Sequence, residues 1–118
     1  MHPKALAYQQ EGLAFKERGE WAAARDAFLA ALELDARYDE ARYELAQALA
    51  ALGDLAGAAT HSQTLLDNQP NHLGAALLLG TSLRKLGRRG EAIGALQRVL
   101  FIDSSVRQGM LVAQRVGE

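Results

Sequence analysis

Apolar and small residues recur along this chain at intervals of three and four, the spacing that places side chains on one face of an α-helix. The first such stripe contains Tyr8, Gly12 and Phe15, and the next contains Ala24 and Phe28. Similar stripes continue to the C-terminal part, so the pattern predicts helices throughout. The predicted helices cover residues 5–17, 21–34, 39–51, 55–68, 73–85, 89–102 and 107–116.

The stripes repeat with a period of 34 residues. Gly19, Gly53 and Gly87 occupy one column of this repeat, each just after a predicted helix, where a left-handed glycine commonly ends it. Three further columns hold Gly12, Ala46 and Gly80; Ala24, Ala58 and Ala92; and Leu32, Leu66 and Leu100. A single helical hairpin cannot bury its apolar face, whereas three stacked hairpins form a continuous core. The sequence therefore predicts an all-α stack.

Local signals refine this arrangement. Small residues in two of the columns predict close contact between the helices of a hairpin, and Asp54 and Asn71 are suited to begin the helices that follow them. We expect one domain over residues 1–118, with repeats at 5–38, 39–72 and 73–106 and a C-terminal helix at 107–118. That last helix is either a cap on the stack or a fourth repeat cut short.

The repeat resembles the tetratricopeptide repeat (TPR), in which Leu-Gly-x2-Tyr is followed by Ala-x3-Phe-x2-Ala and then Pro. Gly12, Ala24, Phe28 and Ala31 match that pattern in the first repeat, and Pro70 matches it in the second. The departures are Glu11, Arg42 and Ser62, with Ala36 and Ser104 in place of proline. The resemblance covers residues 5–106 and implies a right-handed α-solenoid with a concave side.

Composition narrows the functional classes. With 13 Lys and Arg against 14 Asp and Glu, the net charge of −1 supplies no general attraction to nucleic acid, and zero cysteines exclude a disulfide scaffold or a thiolate zinc site. The charge is uneven, since residues 1–72 hold six basic and eleven acidic residues (−5) and residues 73–118 hold seven and three (+4). We expect no membrane insertion, no signal peptide and, by default, a cytoplasmic location.

Candidate catalytic and metal sites are weak. His2, His61 and His72 include no pair at the i, i+4 spacing that zinc sites on a helix use, and they are expected to be solvated or packed. A triad of His61, Ser62 and Asp67 fails because adjacent helix residues do not face each other. We predict no enzyme, no metal and no cofactor.

One basic cluster stands out, formed by Arg84, Lys85, Arg88 and Arg89. One interpretation is a solvated helix end, whose positive charges interact favourably with the negative C-terminal end of the dipole of helix 73–85. The other is a positively charged patch that steers a ligand.

The resemblance implies a ligand in the concave groove, which the first helix of each repeat lines. The predicted partner-binding residues are Leu6, Gln9, Leu13, Lys16, Tyr43, Gln47, Leu77, Leu78, Thr81 and Arg84. Independently, Leu77, Leu78 and Leu79 are consecutive and cannot share one buried face, so at least one should be exposed. Apolar groups rimmed by amides and cations are typical of a protein-contact surface.

One TPR subclass clamps a C-terminal carboxylate with lysine, asparagine and arginine side chains. None of the matching positions here carries the residue type that the clamp uses; they are Gln9, Leu13, Glu44, Gly74 and Leu78. Glu44 would repel a carboxylate. The resemblance therefore implies a groove without a carboxylate clamp.

Three hypotheses follow. The first is an adaptor or scaffold that binds a peptide segment of a partner protein. The second is a self-assembling unit, a homo-oligomer in which the acidic half of one copy meets the basic half of the next. The third is a secretion-type chaperone that holds an unfolded client.

Overall fold

A computed structural model describes the backbone of residues 2–117 and the side chains of residues 2–105, 107 and 108. Within these residues the chain forms six α-helices and no strand. The helices are α1 (Pro3–Glu17), α2 (Trp21–Leu34), α3 (Asp39–Ala51), α4 (Leu55–Asn68), α5 (Leu73–Lys85) and α6 (Arg89–Gly117). Each helix packs against the next, and α3 also contacts α5. The predicted stack of three helical hairpins is confirmed.

The turn inside each hairpin is set by its glycine. Gly19, Gly53 and Gly87 have φ angles of +73°, +86° and +79°, and an added Cβ would meet no atom within 4 Å at any of them. Space is therefore not the constraint. These positions require glycine because its backbone can adopt the left-handed conformation at little cost.

Three helices, α1, α4 and α5, begin with a side chain that accepts from an unpaired backbone amide. Asp54 caps α4 as predicted, its Oδ1 accepting from the Gly57 amide at 2.9 Å. The prediction that Asn71 caps α5 is wrong, because α5 begins at Leu73, as predicted, and the residue directly before it is His72. His72 is the cap, and its Nδ1 accepts from the Ala75 amide at 2.9 Å.

The helices of the outer hairpins approach closely at glycines. A Cβ added to Gly12 would lie 2.6 Å from Cδ1 and 2.8 Å from Cζ of Phe28. A Cβ added to Gly80 would lie 2.8 Å from Cδ2 of Leu96. The small-residue column therefore serves to let a large side chain of the second helix reach the axis of the first.

The core runs along the stack. One cluster joins the first hairpin to the second and includes Phe28, Leu45 and Ala58, while another joins α4 to the third hairpin. Ala58 and Ala59 are adjacent on α4 and belong to different clusters, so α4 packs on both sides.

The C-terminal segment differs from its prediction. We expected a break after residue 102 and a separate helix over 107–118, but α6 continues from Arg89 to Gly117. Ser104 takes the position that Pro70 occupies after α4, and serine does not stop a helix as proline does. Glu118, the last residue of that predicted helix, lies outside the described residues. None of the helices in the described part of the chain combines the length and hydropathy needed to cross a bilayer.

Candidate functional site

The first helices of the three hairpins, α1, α3 and α5, form the surface that we call the groove face. Its α1 and α3 parts are joined by Gln9, which is buried although it is polar. The Gln9 amide donates to both carboxylate oxygens of Glu44 at 3.2 and 3.3 Å, and its oxygen accepts from the Tyr38 hydroxyl. Gln9 was predicted to bind a partner, but its hydrogen bonds are made inside the chain.

A second bond joins the same two helices. Lys16 Nζ donates to Gln47 Oε1 at 2.9 Å, and both side chains are half-buried. Two more of the predicted partner-binding residues therefore contact each other. Together with Gln9 and Glu44, they form a polar brace between α1 and α3.

The junction of α3 and α5 is aromatic rather than amide-based. The rings of Tyr43 and His72 meet edge to face with centroids 4.7 Å apart, and the Tyr43 ring lies where a side chain at Gly74 would project. The absence of a side chain at Gly74 leaves the space that the hydroxyl end of Tyr43 occupies. A pocket of about 300 Å³ lies beside this contact and is lined by Asp39, Glu40, Tyr43, Glu44, Gln69 and His72.

The remaining predicted residues differ in how far they are available to a partner. Leu6 and Leu77 are 42% and 43% exposed, and the exposure of Leu77 agrees with the prediction that at least one of Leu77, Leu78 and Leu79 is exposed. Leu13 and Leu78 are half-buried, with Leu13 packed on the first core cluster.

Two predicted polar contact residues lie on α5. The Thr81 hydroxyl donates within α5 to the carbonyls of Leu77 and Leu78 at 3.0 and 3.2 Å, whereas Arg84 is exposed. Of these two residues, Arg84 is therefore the one whose polar group is accessible to a partner.

The centre of the groove face is acidic. Glu40 and Glu44 are one helical turn apart on α3, and neither forms an ion pair with a Lys or Arg among the described side chains. Burial raises the pKa of Glu44, and Glu40 adds to the rise, while the Gln9 hydrogen bond and Lys16 oppose it. Arg84 and Lys85 at the end of α5 are exposed, so the charge changes sign toward the third repeat.

Tyr38 and His72 are the participants that sequence reasoning missed. Tyr38 is 4% exposed and lies just before α3, outside the helical stripes, so periodicity does not indicate it. His72 was expected to be solvated or packed, with no role at a helix start. Its position directly before α5 was the available signal, because that is where a helix-capping acceptor is needed.

A further cleft lies away from the groove face, between α4 and α6. It has a volume of about 620 Å³ and an apolar floor that includes Leu66, Leu79 and Leu83. Its rim cations are engaged within the chain, since Arg88 pairs with Glu91 and Arg98 Nε donates to the Pro70 carbonyl at 3.2 Å. No group of three or more His, Cys, Asp or Glu side chains within the described residues could hold a metal ion.

Comparison with known proteins supports the architecture. Models described as "TPR repeat" and "Tetratricopeptide repeat" match residues 12–53, 40–72 and 58–106. No curated protein matches the chain.

Solved structures include similar chains. MamA is 25% identical with a TM-score of 0.84, and the match covers 89% of this chain and 61% of the MamA chain. The first TPR of Spaghetti (RPAP3), bound to the HSP90 peptide SRMEEVD, is 18% identical with a TM-score of 0.80, covering 98% of this chain and 94% of that one. The TPR2B domain of yeast Sti1, in a complex with pHsp70, is 19% identical with a TM-score of 0.82, covering 96% and 90%.

The overlapping family matches span residues 12–106, and the hairpin geometry, the left-handed glycines and the 34-residue period agree with them. The chain belongs to the tetratricopeptide-repeat family.

Proposed function

We propose that this chain is a non-enzymatic protein–protein interaction module, an adaptor or scaffold that binds a peptide segment of a partner on the groove face without a carboxylate clamp. The observation that carries the proposal is the pair of exposed leucines, Leu6 and Leu77, on either side of the acidic Glu40 and Glu44. Apolar anchors around a charged centre fit a peptide that has aliphatic side chains and a basic residue between them.

The absence of a clamp follows from charge. In the similar Spaghetti structure the bound HSP90 peptide is SRMEEVD, which is acidic at its C-terminal end. Here Glu44 stands at a clamp position, half-buried and hydrogen-bonded to Gln9, with Glu40 one turn away. Bringing carboxylates to this surface would add like charges at a site where burial already disfavours the Glu44 anion. A Lys or Arg side chain would be attracted to it.

A random heptapeptide library selected on the immobilised protein tests the proposal. We expect enrichment of sequences with aliphatic residues and a Lys or Arg, and no detectable binding of SRMEEVD by calorimetry. Leu77→Asp should abolish the selection, whereas Leu29→Asp, at a similarly exposed leucine on α2 (39% against 43%), should retain it. Glu40→Lys, at an exposed site, should shift the preference toward acidic peptides.

The outcomes separate cleanly. Circular dichroism first establishes that each variant keeps its helix content. If Leu29→Asp and Leu77→Asp reduce binding equally, the groove face is not the binding surface. If SRMEEVD binds as well as basic peptides do, the charge argument is wrong.

A further inference from the structure

The three most exposed large apolar side chains among the described residues lie on α6. Ile93, Leu100 and Phe101 are 50%, 67% and 68% exposed. They are spaced by seven and eight residues, so they share one face of α6, while Ala92, Ala95 and Ile102 point into the second core cluster. We call Ile93, Leu100 and Phe101 the α6 patch.

The internal repeat shows what covers the residues that correspond to Leu100 elsewhere in the chain. Leu32, Leu66 and Leu100 occupy one column, yet the first two are only 9% and 2% exposed. Leu66 shares its cluster with Ala75 and Leu79 of α5, and Leu32 shares its cluster with Ala41 and Leu45 of α3. In each case the cover is the first helix of the following hairpin.

The two covering helices share a pattern. Ala41, Leu45 and Ala48 on α3, and Ala75, Leu79 and Ser82 on α5, are all buried and follow a small–Leu–small pattern at positions i, i+4 and i+7. Leu at the centre fills the space between the large residues of the second helix, and the small residues let the backbones approach.

Within the residues that the structure describes, the first helices of another copy, α1, α3 and α5, do not fit the patch in this way. Its α3 and α5 are already packed inside the stack, and at the central position of the pattern α1 carries Glu11, which is exposed. Stacking α1 of one copy on α6 of another would place that carboxylate against Leu100, where burying an unpaired charge is costly. The centre of the stripe is therefore a carboxylate on α1, whereas the corresponding surface of α6 carries Leu100.

We propose that the α6 patch is a second interaction surface, which binds an amphipathic helix of a partner protein with a small–Leu–small stripe and a net negative charge. The packing is the one that the chain already uses twice, between α2 and α3 and between α4 and α5. Residues 73–118, which contain the patch, hold seven basic and three acidic residues (+4), so an acidic helix is favoured over a basic one.

The test uses a helix of this sequence as a probe. A capped peptide of residues 39–52 (DEARYELAQALAAL) carries the stripe and a net charge of −2, from one Arg and three acidic residues. The chain has no cysteine, so Ser104→Cys, one turn beyond Leu100, provides a single site for an environment-sensitive fluorophore. We expect a saturable fluorescence change that weakens as salt is added.

The controls separate this surface from the groove face. Leu100→Asp in the protein, or Leu45→Glu in the peptide, should weaken binding at least tenfold, whereas Leu77→Asp and Leu29→Asp should leave it unchanged. No saturable binding, equal affinity for the Leu45→Glu peptide, or loss of binding on Leu77→Asp would each overturn the proposal. So would sedimentation showing a dimer that Leu100→Asp converts to a monomer, because a second copy would then be the occupant.

Discussion

Gly12→Ala should destabilise this protein even though alanine is the better helix former. Gly12 lies inside α1 and is buried, and a Cβ there would lie 2.6 and 2.8 Å from two carbons of the Phe28 ring, with Cε1 closer still. Phe28 is fully buried in the first core cluster, so its ring has no space into which to move. Helix propensity favours alanine by about 1 kcal/mol, whereas an extra methyl in a full core costs about 1–3 kcal/mol.

We place the cost of Gly12→Ala near the upper end of that range, because the clash is with a rigid ring. The expected net loss in the free energy of unfolding is therefore about 1–2 kcal/mol. Gly94→Ala is the matched control, since an added Cβ there meets no atom within 4 Å. Because only helix propensity then changes, the free energy of unfolding of Gly94→Ala should rise by about 0.5–1 kcal/mol.

Urea denaturation measures both variants, monitored by circular dichroism for the whole stack and by Trp21 fluorescence for the first hairpin, whose core Trp21 contacts. Coincident curves justify a two-state fit, which repeat proteins do not always obey. Phe28→Leu should relieve part of the Gly12→Ala cost, so the double variant should lose at least about 0.5 kcal/mol less than the sum of the single ones. A Gly12→Ala protein as stable as the original, or strictly additive losses, would refute the close-contact argument.

Three further predictions concern stability. Leu66→Ala should lower the free energy of unfolding by about 2–5 kcal/mol, because Leu66 is buried. Leu100→Ala, in the same repeat column, should change it by no more than about 0.5 kcal/mol, because Leu100 is exposed. Equal shifts in the urea midpoint would contradict our account of the α6 patch. Burial and then Arg42 lower the pKa of His61 in the folded chain, so the unfolded chain binds the proton first as the pH falls. The free energy of unfolding should therefore be highest above about pH 6.5 and decline below it, and His61→Gln should flatten that decline in urea curves recorded from pH 7 to pH 5. Asp54→Ala should lower the free energy of unfolding, measured by thermal denaturation, by about 1 kcal/mol. Asp54→Asn should lower it much less, because only alanine removes the acceptor for the Gly57 amide.

The helices were predictable from sequence because local signals mark their ends. The glycine column and Asp54 act within a few residues of the helix that they end or begin, so the bounds of α2 to α5 match the prediction. The long α6 was missed because Ser104 was treated as a substitute for proline, although it lacks the ring that stops a helix.

The interior of the groove face was not predictable in the same way. Gln9 and Glu44 were each assigned to the surface from their own helix, and single-helix periodicity does not show which side chains meet between helices. Their separation of 35 residues is one repeat plus one position, so a rule that pairs residues about 34 apart would have indicated this contact. The Lys16–Gln47 bond, at a separation of 31, also falls near that spacing.

The brace between α1 and α3 has a consequence for binding. Gln9 and Gln47, which were predicted to bind a partner, form hydrogen bonds between α1 and α3. Tyr43 and His72 form an aromatic contact between α3 and the start of α5. A peptide on the groove face then meets a surface that is already ordered, so little of its binding free energy is lost in ordering the protein. Selectivity must come from the groups left available, which are the exposed leucines, the acidic centre and the cations at the end of α5. A groove of this kind should discriminate between peptides by the position of their charge more than by their backbone hydrogen bonds.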